Sequence, residues 1–286
     1  MCVTQDLFSG AGVQGGFIPW VGLPRANAER LLAFCFLRST LGPLKLQESG
    51  SRPVSFVLAF STTYHVHLMP LPSSSLLFSM YHAMLAMLGP SGWWPAQGAF
   101  EVAVGAILTQ NTSWTNVEKA IDNLRRQGLL APERLCRADL STIEECIRPS
   151  GYFRQKTKKI RDFLDFLEHE QALDFKAFTE QNTSVLRDKL LNVRGIGPET
   201  ADSILLYALE RPVFVVDAYT ARIFQRHGLV PEDVGYDELQ DFFLSRLPSE
   251  PTLFNEYHAL LVRVGKQWCR RHKPRCETCP LGTFLP

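Results

Sequence analysis

Excess charge of either sign is what this chain most lacks. Its 286 residues carry a formal net charge of +1, so the whole-chain field singles out no anionic partner. No apolar run reaches the roughly 20 residues that span a bilayer, which argues against a membrane helix. No basic stretch followed by an apolar one opens the chain, so no secretory signal is read there. The seven cysteines (Cys2, Cys35, Cys136, Cys146, Cys269, Cys276 and Cys279) are odd in number, and the first four are scattered. That excludes the paired framework of a small secreted domain and fits a reducing compartment. Convincing alternation of apolar and polar residues is also absent, which removes a sheet-based architecture from consideration.

What is present is helical period. The chain is 45% hydrophobic, enough for a sizeable core, and it divides near residue 78. Residues 1–78 are poor in charge and rich in Gly, Pro and Ser. They read as a poorly structured N-terminal extension of unknown role, or as sequence ahead of a true start at or near Met80. From residue 79 to 286 apolar residues recur at helical spacing. Val117, Ala120, Ile121 and Leu124 share a face, as do Ile160, Phe163, Leu164 and Leu167, and again Phe254, Tyr257, Leu260, Leu261 and Val264. Leu239, Phe242 and Phe243 mark another helix, and Ser141 with Glu144 reads as a capping box opening one more. The expectation is an all-α domain of roughly ten helices.

Charge is local where it is not global. Arg148, Arg154, Lys156, Lys158, Lys159 and Arg161 precede the next acid, Asp162. Arg263, Lys266, Arg270, Arg271, Lys273 and Arg275 form a second acid-free run. Such segments meet an anion or simply face water. Between them lies Leu190-Leu191-Asn192-Val193-Arg194-Gly195-Ile196-Gly197-Pro198-Glu199-Thr200-Ala201. One helix ends, two glycines turn the chain, and Pro198 suits the first turn of the next. Ile196 plugs the turn, and the bare glycines let a phosphate approach outward backbone N–H groups. Twenty residues after Gly197, Asp217 ends the apolar run Val213–Val216 and opens a helix. An acid there is a helix cap or a working carboxylate.

Taken in order, these motifs resemble the helix-hairpin-helix DNA glycosylase superfamily (HhH-GPD), which includes endonuclease III, over about Trp93 to Cys279. The stretches Phe100–Thr112 and Pro149–Lys156 resemble two further elements of that family. The resemblance implies two helical subdomains with an active-site cleft between them, and a base-excision-repair enzyme in which Asp217 is the catalytic carboxylate. It implies double-stranded DNA with a damaged base as partner, a monomer, and a cytoplasmic, nucleoid-associated location. Gly195, Ile196, Gly197, Gln110, Asn111 and Lys156 would contact DNA. Members that also cleave the strand carry a lysine where this chain has Glu199. A carboxylate cannot form their imine, so the resemblance implies base release by water without lyase chemistry. Trp93-Trp94-Pro95, with Trp114 after the Gln110-Asn111-Thr112 run, is closest to the 3-methyladenine glycosylase branch, where such residues line the pocket for the flipped base. A cationic alkylated purine suits aromatic walls. The alternatives are a bifunctional glycosylase/lyase acting on oxidised pyrimidines, and a DNA-binding homologue without chemistry.

Cys269, Cys276 and Cys279 follow the opening of the endonuclease III iron–sulfur pattern, which implies a [4Fe–4S] cluster. The expected fourth cysteine is Leu285 here. Three readings stay open: three cysteines with another fourth ligand, an altered C-terminus, or a relic that binds nothing.

Overall fold

The computed structural model describes residues 73–94 and 96–286. Residues 1–72 and Pro95 lie outside the described residues, and with them the N-terminal extension, Cys2, Cys35 and the expected pocket role of Pro95.

Eleven α-helices form among the described residues. They are α1 (Ser74–Leu88), α2 (Ala99–Leu108), α3 (Trp114–Arg126), α4 (Pro132–Arg137), α5 (Leu140–Ile147), α6 (Phe153–Gln171), α7 (Thr183–Leu191), α8 (Pro198–Ser203), α9 (Ala218–Arg226), α10 (Tyr236–Leu244) and α11 (Pro251–Gln267). The apolar faces read from the sequence are the buried ones. Val117, Ala120, Ile121 and Leu124 are the buried residues of α3, and the expected stripes of α6 and α11 are buried as well.

These helices close over two cores. The first gathers α2 to α8 around residues such as Ile107, Leu124, Phe163, Leu190 and Ile196. The second gathers α1 and α9 to α11 around Met80, Phe214, Phe243, Phe254 and Tyr257. The expected all-α fold of two helical subdomains is therefore present. Two details differ. Helix α1 begins at Ser74 and buries Leu77, so a boundary at residue 78 cuts through a helix that belongs to the second core. Helix α5 begins at Leu140 after Asp139, and no side chain caps it. Ser141 already sits inside its first turn, so it cannot form the expected capping box.

Close approach sets the register of the second core. A Cβ on Gly265 would stand 2.4 Å from Tyr219, so only glycine lets α11 pack this tightly on α9. Across the molecule, Asp202 of α8 is fully buried. It accepts from Arg187 Nε at 2.7 Å, Tyr236 Oη at 2.9 Å and Gln240 Nε2 at 2.7 Å. That knot ties α7, α8 and α10 together.

Candidate active site

Helices α7 and α8 build the hairpin. Gly195 has φ +86°, and a Cβ there would meet Lys159 Cγ at 2.6 Å. The position thus needs glycine for conformation and for space. Ile196 is buried in the first core and donates its N–H to Val193 O at 3.1 Å, which fixes the turn from inside. Helix α8 then gives way to a π-helical stretch, Ile204–Ala208. Widened turns of this kind accompany functional sites, and this one brings Tyr207 to the cleft.

The cleft is about 1120 Å³ and is bounded by both subdomains. One wall is aromatic. The Trp94 and Trp114 rings meet edge-on at 4.7 Å, Trp93 and Trp114 lie 5.6 Å apart, and Trp94 and Tyr207 5.3 Å apart. Gly105 of α2 makes room, since a Cβ there would touch Trp94 at 3.0 Å. Trp93 Nε1 is buried in this wall and makes no hydrogen bond of regular geometry, the Tyr207 phenol being the polar group its N–H acts on.

Asp217 closes the other side as the residue preceding α9. Its Oδ1 accepts from the Thr220 N–H at 2.7 Å and the Thr220 hydroxyl at 2.9 Å. Its Oδ2 faces His258 Nε2 at 3.7 Å. Burial pushes this carboxyl up, but the His258 ring and the Thr220 donors outweigh it and hold Asp217 below the ordinary aspartate range. Asp217 thus caps a helix with one oxygen and faces His258 with the other, at the lining of the cleft. Glu199, also lining the cleft, moves the opposite way. Burial and then the charge of Asp217 raise its carboxyl, against a smaller pull from His258. Tyr207 shares a hydrogen bond with His258 Nδ1. Burial holds its phenol well above the usual range, Asp217 and Glu199 push the same way, and the Trp93 N–H pulls back.

Gln110 lines the cleft, where its Nε2 donates to Gly195 O at 3.1 Å and Thr200 Oγ1 at 2.9 Å while Lys159 Nζ donates to its Oε1. Asn111 is exposed beside it with φ 53°. Lys156 requires a correction. Its side chain is buried, and its ammonium donates to Leu108 O at 2.9 Å and Ser150 O. It therefore faces inward rather than toward DNA, and it pins the end of α2 to the 148–153 loop because those two carbonyls need a donor. The sequence reading gave no role to Tyr152, which stands 66% exposed at φ 46° on that loop. A bulky aromatic between basic residues was the available signal. His258, one of seven histidines, gave no signal at all.

Cys269, Cys276 and Cys279 line one small cavity with Leu281 and Leu285. Burial raises the Cys279 thiol, and the neighbouring Cys269 and Cys276 add to it. Arg226 donates to Cys269 Sγ at 3.2 Å and to Arg270 O at 2.7 Å. The three thiols share a site, as a cluster needs, but the donor set is one thiolate short. Among the described residues no three His, Cys, Asp or Glu side chains are arranged to hold a metal ion. In the basic run that leads here, Arg263 is spent on the Leu88 and Gly89 carbonyls at the end of α1.

Comparison with known proteins follows the same outline. A candidate DNA repair glycosylase of Methanocaldococcus jannaschii is 44% identical over 210 residues, 73% of this chain and 95% of that protein. Endonuclease III of Sulfolobus acidocaldarius is 29% identical over 189 residues, 66% of this chain and 82% of the relative. Among solved structures, the H. pylori 3-methyladenine DNA glycosylase bound to 1,N6-ethenoadenine superposes with TM-score 0.60 at 31% identity, covering 68% of this chain and 98% of that one. An endonuclease III–DNA complex, at 21% identity and TM-score 0.64, shares the fold. The profile of the HhH-GPD superfamily of base excision DNA repair proteins matches residues 104–249, and this chain belongs to that family.

Proposed function

We propose that this chain is a monofunctional DNA glycosylase that hydrolyses the N-glycosidic bond of a flipped, damaged base, with an alkylated purine such as 3-methyladenine favoured. The observation that carries the reading is Asp217, a carboxylate held below its ordinary range with one oxygen turned into a cleft whose opposite wall is aromatic.

Breaking the C1′–N bond passes through an oxocarbenium-like sugar. An ionised Asp217 stabilises that charge and orients the water that attacks C1′. The departing base must leave the helical stack and be held. Trp93, Trp94 and Trp114 offer it π-faces, which favour a base already cationic through alkylation. The hairpin amides around Gly195, Ile196 and Gly197 would grip a backbone phosphate. Gln110, Asn111 and the exposed Tyr152 stand ready to fill the vacated stack. Glu199 provides no amine, so base release ends the reaction. The enzyme acts on double-stranded DNA as a monomer.

Were an iron–sulfur cluster bound, Cys269, Cys276 and Cys279 would supply three of its ligands and a group other than cysteine the fourth. Such a cluster shows sulfur-to-iron absorbance. An iron-free preparation with full activity would remove it from the account.

A panel of duplexes carrying alkylated, oxidised, deaminated and mismatched bases tests the substrate. Release confined to alkylated purines is the expected result. A second reading has one observation in its favour, because Lys159 and Lys266 also line the cleft and an amine there would allow strand cleavage. Borohydride trapping separates the two. No covalent complex is expected, and a trapped one would establish the bifunctional enzyme.

A further inference from the structure

We propose that His258 is a positioning residue for Asp217, presenting an Nε2 proton to Oδ2 in a tautomer that Tyr207 fixes from the other side of the ring. For its activity arm the proposal rests on the glycosylase reading above; its spectroscopic arm does not.

The two carboxylate oxygens of Asp217 are unequally engaged. Asp217 Oδ1 is fully engaged by Thr220, so the carboxylate cannot pivot freely. Its Oδ2 faces His258 Nε2 at 3.7 Å. This ring nitrogen is buried and has no hydrogen-bond partner. A buried polar atom without a partner is rare and calls for a use. The gap exceeds a hydrogen bond, yet it is too narrow for a water to stand between the two atoms. A small rotation of either side chain closes it.

The other ring nitrogen decides which form the imidazole takes. Nδ1 shares a hydrogen bond with the Tyr207 hydroxyl. Burial keeps that phenol protonated, so either the phenol donates to Nδ1 or Nδ1–H donates to the phenol, and only the first leaves a proton rather than a bare lone pair on Nε2 opposite the Asp217 carboxylate. Nδ1 therefore accepts, and the ring proton sits on Nε2, facing Asp217. Tyr207 reaches this position because it lies on the π-helical stretch after the hairpin, while His258 comes from α11. The chain Tyr207–His258–Asp217 thus couples the DNA-side hairpin to the carboxylate of the other subdomain. It is a hydrogen-bonded support of the kind that orients a reactive group without touching the substrate.

Other charged or titratable groups face the same cleft. Glu199 comes from α8, Arg222 from α9, Lys266 from α11 and Lys159 from α6. Glu199 opposes ionisation of Asp217 and the three cations favour it. Removing His258 leaves burial, the largest influence on Asp217, less opposed, and the carboxyl then takes up a proton at higher pH.

Two measurements test this. Base release by wild type, His258→Ala, His258→Gln and Tyr207→Phe is followed from pH 3.5 to 8 with DNA binding measured in parallel. In His258→Ala the acid limb should move up by about one pH unit, with kcat lowered and DNA affinity unchanged. In His258→Gln, whose amide can still donate, the limb should return toward wild type. An equal loss at every pH, or a glutamine variant no better than alanine, overturns the proposal. Nitrogen-15 spectra of the histidine rings, assigned by the resonance missing in His258→Gln, read the tautomer directly. The expected ring carries its proton on Nε2 in wild type and loses that preference in Tyr207→Phe. A proton on Nδ1 in wild type overturns the proposal. If no duplex is processed, the glycosylase reading fails, and the ring spectra still decide the role of His258.

Discussion

Asp202 and Asp217 lie fifteen residues apart, both are shielded from bulk water, and they have opposite partnerships. Asp202 has no exposed side-chain surface, and its two oxygens take donors from Arg187, Tyr236 and Gln240. Nothing is left for a ligand. Asp217 gives one oxygen to Thr220 and keeps the other at the cleft, next to a nitrogen that also lacks a partner. The difference separates a group that holds the fold from the one proposed to act. A saturated buried charge stabilises by being paired, and it is costly only when a partner is removed. A half-saturated one retains bonding capacity for a transition state.

The largest expected effect tests the Asp202 side of that contrast. Asp202→Ala takes the buried partner from Arg187, leaving it Asp237 alone, and frees Tyr236 and Gln240, so unfolding stability should fall by about 3 kcal/mol or more. Chemical denaturation measures it. Asp217→Asn should do the reverse. The amide keeps an oxygen for Thr220, stability should change by less than about 1 kcal/mol, and base release should fall about 10²–10³-fold with DNA binding retained. Surviving activity would end the mechanism proposed for Asp217, and a large loss of stability would erase its distinction from Asp202. The pH response agrees in sign. Because Asp217 is held below its ordinary range, its contribution to stability is complete above the unfolded-state pKa of about 3.9 and is lost as pH falls through the lower folded-state value.

Two lysines give the same contrast at smaller scale. Lys156 is buried on two carbonyls, and burial followed by Lys159 lowers its pKa from 10.5 to about 8. Lys159 lines the cleft. Between pH 8 and 10.5 the unfolded chain holds a proton at Lys156 that the folded chain does not, so stability should rise with pH across that window. Lys156→Met should abolish the rise. Its DNA affinity should keep the wild-type dependence on salt, whereas Lys159→Met should reduce the salt slope by about one. A reduced slope in Lys156→Met would return that side chain to the DNA face.

How much of this was legible in the sequence depends on the range of the interaction. The stripes of α3, α6 and α11 are periodic within one segment, so they were readable. The hairpin and Asp217 were readable because turn and cap chemistry is local. Lys156 was misread because its partners are carbonyls 48 and 6 residues away, and charge alone does not say which way a side chain points. His258 and Tyr207 are 51 residues apart. Their meeting depends on a π-helical turn that no local pattern announced.

Helix α1 offers a further test, and it bears on the boundary read at residue 78, which falls inside this helix. The Tyr257 hydroxyl donates to Leu77 O at 2.9 Å in the second core. This is the only hydrogen bond that the phenol makes among the described residues, and burial keeps it protonated. Tyr257→Phe removes the donor but keeps the ring packing, so stability should fall by about 1 kcal/mol. A chain beginning at Met80 removes the acceptor and the buried Leu77 side chain as well. Its loss should exceed that of Tyr257→Phe by the roughly 1.5–3 kcal/mol of a buried leucine. Adding Tyr257→Phe to the shortened chain should then cost less than it does in the full one, because the bond is already gone. Equal stability of the shortened and full chains would put the start of the folded domain back at Met80 and leave α1 outside the core that Asp217 depends on.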